Sequence, residues 1–305
     1  MIMNKKPYCI ITHNDLDGIS CAILAMKSFK HIKKVVYCTY DQINKIVEKL
    51  IVTREFMEYE KVFITDISIS NELTSRIEFL NIDNLLLFDY HQTALHLNQF
   101  DWCNVHKTLN NKRTCGTELF YQYLLETKAL MPCKAEKRYV DYVCAYDNYL
   151  KLSEDFKNGD NLNKYFKILG RENYIDFVLK TNGEIKQSEK HIIDLFDSLI
   201  MRYVAEKEQS ILLMPYRDKK IGVVFADQHT NYIADVCCRN KPIDYIVIIN
   251  LSRETMSLRT IYDHIDVGVI AKTYFKGGGH PKAAGAPLNY LFLSEVLKFK
   301  NGGLE

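Results

Sequence analysis

The chain has 305 residues, 47% of them apolar and 26% charged, and 40 basic against 38 acidic side chains leave a formal net charge of +2. At roughly 100–200 residues per domain this length predicts two domains, and the composition excludes a disordered or collagen-like chain. No apolar run approaches the ~18–20 residues that cross a bilayer, residues 1–7 lack the apolar core of a signal peptide, and the small net charge supplies no global field for long nucleic acid.

In chain order, residues 8–12 read as a buried strand and residues 17–29 as a helix with Ile19, Ala22, Ile23 and Met26 on one face. Strands are predicted over 34–39, 62–65 and 85–88, with helices over 41–50 and 73–80 between them. Strands separated by helices predict a parallel sheet covered on both faces. From 115 to about 207 the pattern is mainly helical, and residues 184–207 read as a long helix between two domains. Strand patterns return at 211–214, 221–226, 243–251 and 256–261, with helices over 232–239 and 266–274. The predicted fold class is therefore α/β in two domains: a parallel-sheet domain over 1–183, a helical linker over 184–209, and a smaller α/β domain over 210–305. The nine cysteines form no C-x-x-C pair and read as small buried residues of a reducing compartment, so the cytoplasm is the expected location.

Polar residues cluster where three predicted strands end. The first runs into His13-Asn14-Asp15-Leu16-Asp17-Gly18, the third ends at Asp66, and the fourth at Asp89-Tyr90-His91. In open parallel sheets ligands bind outside the carboxyl ends of the strands. Carboxylates gathered there repel unless a proton or a cation joins them, and carboxylate with imidazole, without thiolate, suits Mn²⁺ or a similar ion. An EF-hand reading fails, because counting from His13 the twelfth position is Leu24. Asp15 as a covalent phosphatase nucleophile remains open at this point. The second signal is Gly277-Gly278-Gly279-His280-Pro281-Lys282-Ala283-Ala284-Gly285. Consecutive glycines allow close approach to a ligand and can turn amides toward an anion, which predicts a phosphate-binding loop with Arg259 nearby as a fork for phosphate oxygens.

These segments together resemble the DHH phosphoesterase superfamily, in the branch with a DHH-associated C-terminal domain. His13-x-Asp15-x-Asp17-Gly18, Asp66, Asp89-Tyr90-His91, Asp147 and Gly277 to Gly285 are similar to its motifs in order. The surroundings of His13 to Ser20 and of Asp89 to Leu97 resemble the oligoribonuclease branch. The resemblance implies two Mn²⁺ ions, the first held by His13, Asp15 and Asp66 and the second by Asp17, Asp66 and Asp147. Tyr90 stands where the family supplies a further ligand. His91 is implied to face the substrate phosphate, with Asp89 orienting it, and Arg259, Gly278, Gly279 and His280 to bind substrate. The implied activity is hydrolysis of short single-stranded oligonucleotides to nucleoside monophosphates by metal-activated water. A cyclic or linear dinucleotide phosphodiesterase, a single-strand DNA exonuclease, and a catalytically impaired nucleotide-binding protein are the alternatives. No membrane partner is expected, and a homodimer is compatible with the pattern.

Overall fold

The computed structural model describes residues 6–302. The chain divides into two compact units, the first ending at Ile193 and the second beginning at Asp194. That division falls inside one continuous helix.

The first unit begins with β1 (Tyr8–His13), α1 (Leu16–Ser28), β2 (Ile32–Cys38), α2 (Ile43–Val52), β3 (Lys61–Thr65), α3 (Asn71–Phe79), β4 (Leu85–Asp89) and β5 (Cys103–Val105). The five strands form a parallel sheet in the order β2-β1-β3-β4-β5. Successive side chains of a strand face opposite sides of the sheet. Cys9, Ile11, Val62, Ile64, Leu85 and Leu87 accordingly meet Val47, Leu50 and Ile77 of α2 and α3 on one side. Ile10, Phe63 and Phe88 meet α1 and a later helix on the other. β5 and the 3-10 turns Glu55–Glu58 and Gln92–Gln99 were not expected. Three residues are too few to show a strand period.

A short ribbon follows, β6 (Thr108–Leu109) and β7 (Lys112–Arg113), then α4 (Gly116–Glu126), α5 (Lys134–Asp147), α6 (Glu154–Leu169), α7 (Arg171–Thr181) and α8 (Gln187–Gln209). Tyr139, Val143, Leu162, Tyr174 and Val178 of α5, α6 and α7 pack on Leu16, Ile19 and Ile23 of α1. The single apolar face expected of α1 is thus a correction: every residue from Leu16 to Ala25 is buried, because α1 lies between the sheet and a further helical layer.

The second unit holds β8 (Leu212–Tyr216), β9 (Lys219–Phe225), α9 (Thr230–Asn240), β10 (Tyr245–Asn250), β11 (Thr255–Arg259), α10 (Val267–Phe275), β12 (Gly278–His280), β13 (Ala283–Pro287) and α11 (Tyr290–Lys300). Its six strands run in the order β12-β13-β11-β10-β9-β8, with β9 and β10 parallel and the other pairs antiparallel. Val223, Val247, Ile249 and Leu258 pack under Phe275 and Phe292, and Val224, Ile246 and Ile248 under Ile233 and Val204. Eight of the nine cysteines are buried and all are free thiols. No helix among the described residues is long and apolar enough to cross a membrane.

Candidate active site

The strand order places β1 beside both β2 and β3, so the chain reverses its direction of winding between β1 and β3. A crevice opens at such a reversal, outside the carboxyl ends of the strands. His13 is the last residue of β1, Asp15 caps α1, Asp66 follows β3, and Asp89 ends β4. The floor beneath them is fixed by two threonines. Thr12 Oγ1 donates to Gly18 O at 2.8 Å, and Thr65 Oγ1 lies 2.9 Å from Thr12 Oγ1. Two glycines bring helix ends against the strand ends. A Cβ on Gly18 would stand 2.2 Å from His13 O, and one on Gly116 would stand 2.6 Å from the Asp66 Cβ.

Three of the expected ligands converge. His13 Nδ1 is 2.8 Å from Asp15 Oδ2 and 3.7 Å from Asp66 Oδ2. Asp66 is buried, adopts a left-handed backbone with φ of 56°, and is fixed there by its N–H on Phe88 O at 2.8 Å. That conformation costs a residue with a Cβ about 1–2 kcal/mol. Its Oδ2 is buried without a hydrogen-bond partner. Burial, and then the charges of Asp17 and Asp15, hold its carboxyl well above the usual carboxylate range. Burial pushes Asp15 the same way, but the hydrogen bond and charge of His13 and the Gly18 N–H outweigh it and hold Asp15 below its ordinary value. One imidazole nitrogen and two carboxylate oxygens within 4.8 Å of one another, one of them buried and without a partner, fit a divalent cation.

Asp66 also belongs to a second such group, with Asp89 and His91. Asp89 Oδ1 accepts from Tyr90 N at 2.8 Å and from His91 Nδ1 at 2.6 Å, and Ser68 Oγ donates to its Oδ2. The carboxylate thus fixes the plane of the imidazole. Burial disfavours the charged ring, but the Asp89 hydrogen bond and charge outweigh it and raise His91 above the ordinary histidine value.

Asp17 and Asp147 stand outside both groups. Asp17 Oδ2 accepts from Gly116 N and its Oδ1 from Thr117 N, each at 2.8 Å, so the carboxylate caps α4 across space. Asp147 ends α5, and its buried Oδ2 has no partner. Burial, and then the charge of Asp17, push its carboxyl up to about 7, while the Tyr90 phenol hydrogen-bonds to it and opposes that rise. Tyr90 itself is raised by burial and by Asp147, so the phenol stays neutral.

Tyr40 was not anticipated. Its hydroxyl lies 3.0 Å from His91 Nε2, and its ring centroid is 4.8 Å from that of His13. Nothing in the sequence distinguishes it among 20 tyrosines. Gly116 was not anticipated either; it is the first residue of α4, and only the absence of a Cβ lets that helix start against Asp66.

The glycine-rich segment of the second unit differs from the loop expected of it. Gly278, Gly279 and His280 form the edge strand β12, paired with β13. Gly279 has φ of 145°, and a Cβ there would stand 2.6 Å from Ala283 O. A Cβ on Gly268 would stand 2.7 Å from Gly279 O, so the strand lies directly on the start of α10. Arg259 Nη1 donates to Leu258 O at 2.9 Å and Ala284 O at 3.0 Å. Lys282 Nζ binds Ile261 O and Asp263. His280 and Gly278 are exposed.

Residues 7–145 match the DHH family, N-terminal domain. Over 305 residues the chain is 30% identical to the oligoribonuclease NrnB of Bacillus subtilis (strain 168), an alignment covering 95% of this chain and 76% of that protein. Among solved structures, the exonuclease RecJ bound to manganese is similar with a TM-score of 0.58 at 12% identity, covering 95% of this chain and 88% of that one. A pGpG-specific phosphodiesterase, PggH from Vibrio cholerae, is similar with a TM-score of 0.52 at 14% identity, covering 95% and 96%. At those identities the structural likeness is one of fold.

Proposed function

The chain belongs to the DHH family and is a metal-dependent phosphodiesterase, and on that premise we propose that it hydrolyses short single-stranded oligoribonucleotides to nucleoside monophosphates, with Mn²⁺ as its ion. The observation that carries the reading is the buried, partnerless Oδ2 of Asp66, shared by two donor groups at the carboxyl edge of the sheet. The 30% identity to an oligoribonuclease supports the substrate class. The nitrogen and oxygen donors, without thiolate, support manganese.

His13, Asp15 and Asp66 would hold one cation, and the shared Asp66 with Asp17 and Asp147 would hold a second, the buried partnerless Oδ2 of Asp147 being free for it. A divalent ion there supplies positive charge and Lewis acidity to a phosphodiester. The protein's own groups do the rest. The Asp66 backbone, fixed on Phe88 O, presets the carboxylate so that little reorganisation accompanies binding. Asp89 accepts the Nδ1 proton of His91 and so directs Nε2 outward, toward Tyr40. In its charged form His91 donates Nε2–H to a non-bridging phosphate oxygen as charge builds there. The Tyr90 phenol, kept neutral by burial and by Asp147, borders that carboxylate without competing for the cation. The roles of Arg259 and His280 in gripping one end of the substrate belong to this proposal. Arg259 would act there with the donors its two carbonyl contacts leave over.

A Mn²⁺-dependent digest of a 5′-labelled RNA pentamer tests the reading, with Asp66→Ala in parallel. A ladder ending in mononucleotide, absent from the variant, is the expected result. Binding without cleavage, or equal cleavage by both proteins, overturns it.

A further inference from the structure

The segment between β5 and α4 is fixed at the site by both of its ends. Val105 pairs with Asp89, and the His106 N–H donates to Asp89 O at 3.0 Å. At the far end Gly116 lies against Asp66, and Asn148, the neighbour of Asp147, donates to Thr114 O at 3.0 Å. Between these anchors the chain forms the β6–β7 ribbon, with Thr108 opposite Arg113 and Leu109 opposite Lys112. Asn110 and Asn111 close it with φ of 51° and 64°. Two successive positive φ values are the signature of the tight turn whose twist suits a two-stranded ribbon, and asparagine tolerates them. The ribbon is therefore a specified shape.

Its charge is one-sided. His106, Lys107, Lys112 and Arg113 are all exposed, and no acidic residue occurs from 102 to 117. Lys107 Nζ donates to Gln92, beside His91, at 3.1 Å. None of Lys107, Lys112 and Arg113 has an ion pair among the described residues, although many other exposed lysines of the chain do. In a chain of net charge +2 this is a local concentration of uncompensated cation beside a phosphodiesterase site. Arg113 lies on the face of the ribbon shared with Thr108 and Lys112 on the other, so a strand laid along either face meets a cation.

We propose that the β6–β7 ribbon is a phosphate-binding arm of the active site, contacting the oligonucleotide backbone beyond the bond being cut and so favouring substrates longer than a dinucleotide. The inference rests on the oligonucleotide reading above and deepens it. Lys112 sits level with Leu109, four residues beyond the end of β5, a reach of up to ~14 Å at ~3.4 Å per residue. That span is enough to reach a phosphate one or two nucleotides along the strand from the bond being cut. Cations tracking phosphates impose salt dependence, about 0.7 in the slope of log affinity against log salt for each phosphate neutralised on a single strand.

The test compares wild type with Lys112→Gln/Arg113→Gln and, separately, with the charge reversal Lys112→Glu/Arg113→Glu. It measures kcat and KM on an RNA pentamer and on a dinucleotide over a salt series. The ratio of kcat/KM on the pentamer to that on the dinucleotide is expected to fall about tenfold in the neutral variant and further in the reversal. The change should lie in KM, with a shallower salt slope for the pentamer. An unchanged ratio and slope in a folded variant overturns the proposal. If the wild type cleaves neither substrate, the oligonucleotide hydrolysis reading fails separately. Fluorescence anisotropy of a labelled pentamer on wild type and variants then decides the arm by binding alone, and equal affinities overturn it.

Discussion

The carboxyl edge of the parallel sheet and the glycine-rich ribbon of the second unit carry equally conspicuous sequence motifs, yet their polar groups are in opposite states. At the sheet edge, Asp66 and Asp147 each bury a carboxylate oxygen that nothing in the protein satisfies. In the second unit, Arg259 is engaged by two carbonyls, Lys282 by a carbonyl and Asp263, and the room left by Gly277 and Gly279 is filled by the protein's own backbone. A buried polar group without a partner is costly and points to something that binds there. A motif whose groups already satisfy one another first explains its own folding.

The largest effect expected of this contrast is at Asp66. Asp66→Asn should lower kcat by 10³-fold or more, yet raise the melting temperature of the metal-free protein. It removes a carboxyl whose ionisation is opposed by burial and by its neighbours Asp17 and Asp15. A thermal melt in chelator, beside the assay, checks both signs, and a lower melting temperature breaks the contrast. Gly277→Ala should act in the opposite manner. A Cβ there meets Gly285 O at 2.2 Å, and such overpacking costs about 1–3 kcal/mol. The loss should be the same with and without divalent metal, as denaturant titrations under both conditions would read.

A smaller effect concerns pH. The Asp147 carboxyl is pushed up to about 7 in the folded protein, against about 3.9 unfolded. Between those values the folded state binds the extra proton, so metal-free stability should decline as pH rises through that window. Metal binding must displace that proton, so divalent ions should bind more tightly at pH 8 than at pH 6, and calorimetric titrations at the two values measure it. The smallest effect is expected at Tyr40. Tyr40→Phe removes one hydrogen bond to His91 and should reduce kcat by about three- to tenfold, consistent with a net ~1 kcal/mol for such a bond. A KM change alone would instead make the ring a substrate contact.

Much of the first unit was legible because its first four strands are five to seven residues long and separated by helices, so their order of appearance implied a parallel sheet. The convergence of His13, Asp15 and Asp66 follows from that same logic, since all three sit at strand ends. What stayed hidden depends on contacts distant in sequence. Asp17 caps a helix that begins at Gly116, and Tyr40 reaches a histidine at position 91. The burial of α1 on both sides needed α5 to α7 to be placed before it could be seen. The edge strand β12 was hidden for another reason: two glycines and a histidine carry little strand propensity, and only pairing with β13 makes them a strand.

That burial of α1 bears on how the enzyme would wear out. Amides from Leu16 to Ala25 have no exposed side to fray from, so they should exchange with deuterium only when the whole first unit opens. The helix whose cap is Asp15 and whose first turn holds Asp17 is then the last part of that unit to loosen. Activity should survive heating until the unit unfolds cooperatively, and then disappear in a single step without a preceding phase of gradual decline.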